Sequence, residues 1–142
     1  MDLIQIKDDN FWNKIHEKHG AKGGVYKIIA FKDGQKLSIG RFLGQDKGGV
    51  LYIGKATSFI NRAIELKKSI SPDYNGSGHT CSRRYKGIAN IALKFPFEIL
   101  YMELTEGDRP EELEKKYLKS YEQIFGEVPP LNAVPERFFS QQ

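Results

Sequence analysis

Apolar and β-branched residues of the chain are concentrated in three short runs, a pattern that predicts β-strands. The runs cover residues 25–31, 50–53 and 97–104. Asp33-Gly34 follows the first run and predicts a tight turn into a further strand over 36–42, which makes a hairpin. Because the first strands follow one another along the chain, we expect them to form a small antiparallel sheet.

Other apolar residues recur at helical spacing and predict helices beside the sheet. A short helix is expected over 9–16, Thr57 or Ser58 can cap a second one, and 84–92 is a further candidate. Asp108-Arg109-Pro110 begins a late helix, since proline fits its first turn. The residues expected to face inward are Phe59, Ile60, Ala63 and Ile64 in the second helix and Leu113, Tyr117, Leu118, Tyr121 and Ile124 in the late one.

Length and composition predict one folded domain over residues 1–142. The single cysteine, Cys81, rules out an internal disulfide and a cysteine-cluster metal site, and it fits a reducing compartment. No apolar run has membrane-spanning length, and Met1–Asp8 lacks the basic start and apolar block of a signal peptide. We therefore expect a cytoplasmic protein without membrane contact.

Positive charge is concentrated in the middle of the chain. The whole sequence carries a formal charge of +4, but Lys55–Lys94 alone carries +6 and the part from Tyr101 onward carries −4. A locally basic segment favours a polyanionic partner such as a nucleic acid. The alternative is that these side chains are ordinary solvated surface charges.

Three polar positions are candidates for chemistry. Tyr52, Lys55 and Arg62 lie where a predicted strand turns into a helix, and together they would hold a phosphate; Arg62 alone would be an ordinary surface arginine. Glu114 shares a helix face with apolar residues, so it needs either a divalent metal or a structural arginine as its partner. Tyr26 and Tyr52 lie in predicted strands, where tyrosines commonly serve only packing.

The order and spacing of these residues resemble the GIY-YIG nuclease family. Gly24-Val25-Tyr26 is similar to its first motif, with Val in place of Ile, and Tyr52-Ile53-Gly54 matches its second motif. Arg62 follows Tyr52 by ten residues, as is usual in the family. The remaining correspondences are Lys55, Glu114 in a late helix, and Asn132 after a proline-rich turn.

The resemblance implies an α+β fold with a small antiparallel three-stranded central sheet flanked by helices. It spans a core over 24–132, preceded by an N-terminal helical extension over 1–22. The implied activity is that of an endonuclease, a hydrolase that cuts DNA phosphodiester bonds with Mg²⁺ or Mn²⁺.

The resemblance also implies roles for individual residues. Glu114 would bind the metal, and Tyr52, or Tyr26 beside it, would orient or deprotonate the attacking water. Arg62 would stabilise charge on the scissile phosphate, Lys55 would support the tyrosine or that phosphate, and Asn132 would hold the polar network. The cations expected to bind DNA phosphates are Lys67, Lys68, Arg83 and Arg84.

The chain departs from the family pattern at two places. Residues 31–49 separate the two tyrosine motifs, and we interpret this insertion as a hairpin that leaves the motif strands adjacent. Leu66 stands where many members carry His or Tyr. His79 is a candidate to take over that role as an acid, a base or a phosphate donor, and the alternative is a loop histidine without a role.

Two other functions stay open from the residues. A non-catalytic nucleic-acid-binding module would keep the scaffold and the basic segment but would not need both tyrosines, Arg62 and Glu114 together. A protein-interaction domain would use exposed tyrosines and the acidic last third of the chain. The sequence indicates neither the oligomeric state nor the DNA target.

Overall fold

The computed structural model describes residues 3–73 and 80–132, which form an α+β fold. The α+β class expected from the sequence is confirmed. In chain order the elements are β1 (Leu3–Gln5), α1 (Phe11–His19), β2 (Gly24–Lys32), β3 (Gln35–Lys36), β4 (Ile39–Arg41), β5 (Gly44–Asp46), β6 (Val50–Ala56), α2 (Phe59–Ile70), α3 (Thr80–Gly87), α4 (Ala89–Lys94), a 3₁₀ turn (Phe97–Ile99), β7 (Leu100–Glu106) and α5 (Pro110–Phe125).

The main sheet is built around β2, which is buried along most of its length. β2 pairs antiparallel with β6 on one side and with β7 on the other, and β1 pairs with the far edge of β7. With β3 at the end of β2, the sheet has five strands in the described part of the chain. The three-stranded layout is therefore not confirmed, although β6, β2 and β7 are consecutive neighbours in the sheet.

The insertion between the tyrosine motifs contains two short hairpins rather than one. Asp33 and Gly34 both have positive φ angles (53° and 78°) and turn β2 into β3. β4 and β5 then pair with each other in a separate two-stranded sheet, so the strand expected over 36–42 is divided. β2 and β6 are nevertheless direct neighbours, and Tyr26 pairs with Gly54 across them.

The two faces of the sheet are covered by different helices. Alternate residues of β2, including Tyr26 and Ile28, pack with the buried residues of α1 and α2. The intervening Val25 and Ile29 pack with α5. A register shift between Ile28 and Ile29 makes room for an extra residue in β6, so Leu51 and Tyr52 both pack on the Tyr26 side.

Three local expectations for the helices need correction. Ile64 is 44% exposed, because the buried stripe of α2 runs through Phe59, Ala63, Leu66 and Ile70 instead. Ile124 is 63% exposed, and the next residue, Phe125, packs against the core in its place. The helix expected over 84–92 is interrupted after Gly87 and continues as α4.

The other helix signals correspond to observed ends. Ser58 caps α2, since its side chain accepts a hydrogen bond from the Asn61 amide at 3.4 Å. Pro110 lies in the first turn of α5, and Gly126 ends that helix with a φ of 80°. Within residues 3–73 and 80–132, none of the helices combines the length and the apolar character that a bilayer span requires.

Candidate functional site

Tyr26 on β2 and Tyr52 on β6 form a stacked pair on one face of the sheet. Their ring centroids lie 5.8 Å apart with an interplanar angle of 40°. The Tyr26 side chain is only 1% exposed, whereas Tyr52 is partly exposed. A hydrogen bond joins the two side chains. Of the two phenols, Tyr52 is therefore the one that a solvent molecule can reach.

Gly54 makes this pairing possible. A Cβ atom at this position would lie 2.5 Å from Cζ and 2.6 Å from Oη of Tyr26, and 2.7 Å from Cε2 of Tyr52. These distances are far below van der Waals contact, so any side chain would displace both rings. The last residue of the second motif is therefore a glycine because the tyrosine pair occupies the space over its Cα.

Both phenols are strongly held in their neutral form. Burial raises the pKa of Tyr52 to about 12, although the hydrogen bond with Tyr26 and the charge of Arg62 act in the opposite direction. Burial is also the main reason why the pKa of Tyr26 lies well above its ordinary value, and its hydrogen bond with Tyr52 adds to that rise. Deprotonation of either phenol therefore requires additional positive charge nearby. Tyr52 loses its proton more readily than Tyr26 does.

An open cleft lies between the end of β6 and the start of α2 and α5, and neither Tyr26 nor Tyr52 lines it. Its volume is about 420 Å³. Three cations line it: Lys55, Arg62 and Arg109. Nζ of Lys55 lies 4.0 Å from the Glu111 carboxylate, and Nη1 of Arg62 lies 3.4 Å from Glu65. These loose contacts at a solvent-exposed mouth are compatible with exchange for a bound phosphate.

Glu114 contributes a half-buried carboxylate to the same neighbourhood. Burial raises the pKa of Glu114, and the negative charge of Glu111 adds to the rise, while Lys55 and Arg62 oppose it. The negative charge of Glu114 in turn raises the pKa of Tyr52. The carboxylate, the phenol and two of the cleft cations therefore lie close enough to influence one another's ionisation.

Asn132 holds the backbone of β6 next to Tyr52. Its Oδ1 accepts a hydrogen bond from the Ile53 amide at 3.0 Å, and its Nδ2 donates to the Ile53 carbonyl at 2.9 Å. The amide of Leu131 donates to the Leu51 carbonyl at 2.8 Å. The side chain of Asn132 is buried, so this double contact fixes the edge of β6 on both sides of Tyr52.

The expected DNA-binding cations fall into two groups. Lys67 donates from Nζ to the Asp8 carbonyl at 2.7 Å and lies over the Trp12 ring, and Arg84 donates to the Pro130 carbonyl at 3.0 Å. These two side chains are therefore engaged within the fold. Lys68 and Arg83 are exposed. His79 lies outside the described residues.

A divalent metal fits the Glu114 neighbourhood by one observation. The Glu114 carboxylate is half-buried and burial raises its pKa, so a bound cation would stabilise its charged form. Magnesium is commonly held by one or two carboxylates together with substrate phosphates. Within residues 3–73 and 80–132, no group of three or more His, Cys, Asp or Glu residues is placed to hold a metal ion. Glu114 would therefore hold the ion together with the substrate.

Two features of the site were not anticipated from the sequence. Arg109 lines the cleft opposite Arg62, although only its position before Pro110 at the start of a helix marks it in the sequence. The bulge that turns Leu51 to the same face as Tyr26 and Tyr52 has no sequence signal that we can identify.

Comparison of the chain with family models, with curated proteins and with solved structures found no match. The resemblance to the GIY-YIG nucleases therefore rests on the motif residues themselves, and it stays a prediction.

Proposed function

We propose that the protein is a metal-dependent DNA endonuclease of the GIY-YIG type, with the β6–β2–β7 trio as its catalytic core. The observation that supports the proposal most strongly is the shared location of Tyr52, Lys55, Arg62 and Glu114. Lys55 and Arg62 line one cleft, and Tyr52 and Glu114 lie close enough for Arg62 to affect the pKa of both, although the four residues come from β6, α2 and α5. Structural packing alone does not require a phenol, two cations and a desolvated carboxylate in one place.

Tyr52 is the residue that we assign to the attacking water. Burial raises the pKa of both phenols, but their mutual hydrogen bond opposes that rise at Tyr52 and adds to it at Tyr26, so Tyr52 loses its proton more readily than Tyr26. Tyr26 is thus a positioning residue that holds the Tyr52 oxygen and favours its anionic form. Asn132 supports the same strand through the Ile53 backbone.

Arg62 and Lys55 are assigned to the scissile phosphate. Both line the cleft, and negative charge grows on the phosphoryl oxygens during hydrolysis. Fixed cations at that position stabilise the transition state more than the ground state, which is the condition for a rate effect.

Glu114 is assigned as the protein ligand of Mg²⁺ or Mn²⁺. When bound, the metal supplies Lewis acidity toward the phosphate and lowers the pKa of groups near it. That chemistry addresses the main obstacle of the site, since a phenol is already neutral at neutral pH and burial raises the pKa of Tyr52 further, to about 12.

The proposal is tested with a cleavage panel of single-stranded, duplex and branched DNA, with and without Mg²⁺ or Mn²⁺. The wild type is expected to cleave at least one DNA form when a metal is present, and Arg62→Ala is expected to lose at least about a hundredfold in rate. Lys47→Ala is the matched control, since this exposed cation precedes β6 at the end opposite Lys55. If the wild type binds DNA and cleaves no form with either metal, a non-catalytic nucleic-acid-binding module replaces the nuclease.

A further inference from the structure

The two short helices α3 and α4 form a unit next to the candidate site, here called the α3–α4 unit (Thr80–Lys94). The Tyr85 hydroxyl donates to the Phe95 carbonyl at 2.6 Å, and this buried bond fixes the two helices against each other. The hydroxyls of Ser69 and Ser82 lie 2.6 Å apart in a buried contact that joins α3 to α2. The unit is therefore a fixed part of the fold.

One end of the α3–α4 unit lies at the tyrosine pair. Cys81, in the first turn of α3, is buried and is close enough to affect the pKa of Tyr52. Arg84 holds the Pro130 carbonyl, and the residues that follow Pro130 hold β6 beside Tyr52. The first turn of α3 and the Arg84 side chain therefore lie next to the residues that hold the Tyr52 strand.

The charge of this surface is of one sign. Residues 83–94 include four cations and no acidic residue. Arg84 is engaged with Pro130, but Arg83 on α3 and Lys94 at the end of α4 are exposed. A unit that carries exposed cations attracts a polyanion such as a phosphate backbone.

The unit also exposes an apolar side chain, next to Lys94 in α4. Leu93 is 77% exposed, and it shares the outer face of α4 with Ala89 and Asn90, which lie four and three residues before it and are also exposed. Phosphates do not bind an apolar side chain. An unstacked DNA base can pack against an apolar side chain, and proteins that open or kink DNA use apolar side chains in this way.

We propose that the outer surface of the α3–α4 unit binds DNA beside the scissile phosphate, with Arg83 and Lys94 on phosphates and Leu93 against an unstacked base. The inference rests on the proposed nuclease function and narrows its substrate class. The preferred DNA is one that contains an unpaired or distorted step, such as a loop or a branch, rather than a continuous duplex.

The test measures DNA binding by fluorescence anisotropy in a Glu114→Gln background, so that cleavage does not interfere. The two probes are a fully paired duplex and the same duplex with a short unpaired loop. Arg83→Ala/Lys94→Ala is expected to weaken binding to both probes roughly tenfold and to reduce the salt slope by about two. Leu93→Ser is expected to weaken binding to the looped probe about fivefold and to leave the paired probe unchanged.

Matched controls separate these effects from general loss of charge or apolar surface. Lys47→Ala/Lys119→Ala removes two exposed cations elsewhere, and Leu43→Ser removes an exposed leucine from the turn between β4 and β5. Both controls are expected to bind like the parent protein. Equal losses in the controls and the α3–α4 variants would overturn the proposal. The proposal would also be overturned if the protein bound phosphatidylserine vesicles in a manner that depends on Leu93, while none of the variants changed DNA binding.

The inference and the proposed function fail separately. If the α3–α4 variants bind both probes like the parent while the wild type cleaves DNA in a Glu114-dependent manner, the binding surface is refuted and the nuclease stands. If the wild type cleaves nothing but the variants lose binding as described, the nuclease is refuted and the binding surface stands.

Discussion

Replacement of Gly54 by alanine is the most direct perturbation of the tyrosine pair. The new methyl group would begin 2.5 Å from Cζ of Tyr26 and 2.7 Å from Cε2 of Tyr52. Relief requires a movement of roughly 1 Å by rings that are packed against the core, and overpacking of this kind costs about 1–3 kcal/mol. The reduced entropy of the unfolded chain returns about 0.4–1 kcal/mol. We therefore expect a net loss of about 1–2 kcal/mol in the free energy of unfolding.

The same movement separates the hydroxyls of Tyr26 and Tyr52, so activity is expected to fall more than stability. A misplacement of about 1 Å at a reacting centre lowers rates by roughly a hundredfold. Urea denaturation measures the first effect, and single-turnover cleavage under folding conditions measures the second.

Gly40→Ala is the matched control for that experiment. Its Cβ atom would lie 3.5 Å from the Gln45 side chain, an ordinary contact, in the separate β4–β5 hairpin. The control is expected to retain activity and to change stability by less than about 1 kcal/mol. Wild-type stability and activity in Gly54→Ala would refute the reasoning about the tyrosine pair.

Three other predictions concern single side chains. Asn132→Ala removes both buried contacts to Ile53 and is expected to cost about 1–3 kcal/mol in urea denaturation, since the Ile53 amide is left unsatisfied; unchanged stability would contradict the clamp. Burial raises the pKa of Glu114, so its negative charge destabilises the fold above the folded-state pKa and has no such effect below the unfolded value of about 4.3. Glu114→Gln should therefore raise the melting temperature at neutral pH and lose that advantage in acid. Because the Lys67 ammonium donates a hydrogen bond to the Asp8 carbonyl, Lys67→Met is expected to lower stability by about 1 kcal/mol and to weaken DNA binding less than Arg83→Met does. If fluorescence anisotropy showed a larger loss of DNA affinity for Lys67→Met than for Arg83→Met, Lys67 would belong to the DNA-binding residues.

Local signals carried the sequence predictions that agree with the structure. The apolar run over 25–31 became the central strand β2, and the proline at position 110 marked the start of α5. The adjacency of the tyrosine motifs was expected only with the family resemblance, by interpreting the insertion as a hairpin, and β2 does pair directly with β6.

The remaining features depend on contacts between distant parts of the chain. The buried face of α2 is rotated from the expected one, so that Leu66 and Ile70 are buried. Their packing partners in the core determine this face, and the spacing of apolar residues along the helix does not. Lys67 and Arg84 looked like free surface cations, but backbone carbonyls of remote loops accept their hydrogen bonds. Pairing of β1 with β7 likewise has no local signal.

The central claim is that Glu114 supports metal-dependent hydrolysis at the Tyr52 cleft. The most direct measurement compares the single-turnover cleavage rates of the wild type and Glu114→Gln with Mg²⁺ and Mn²⁺, after circular dichroism has established that both proteins are folded. We predict that the wild type cleaves and that the variant is slower by at least about a hundredfold. Equal rates for the two proteins, or no cleavage of any DNA by the wild type, would contradict the claim.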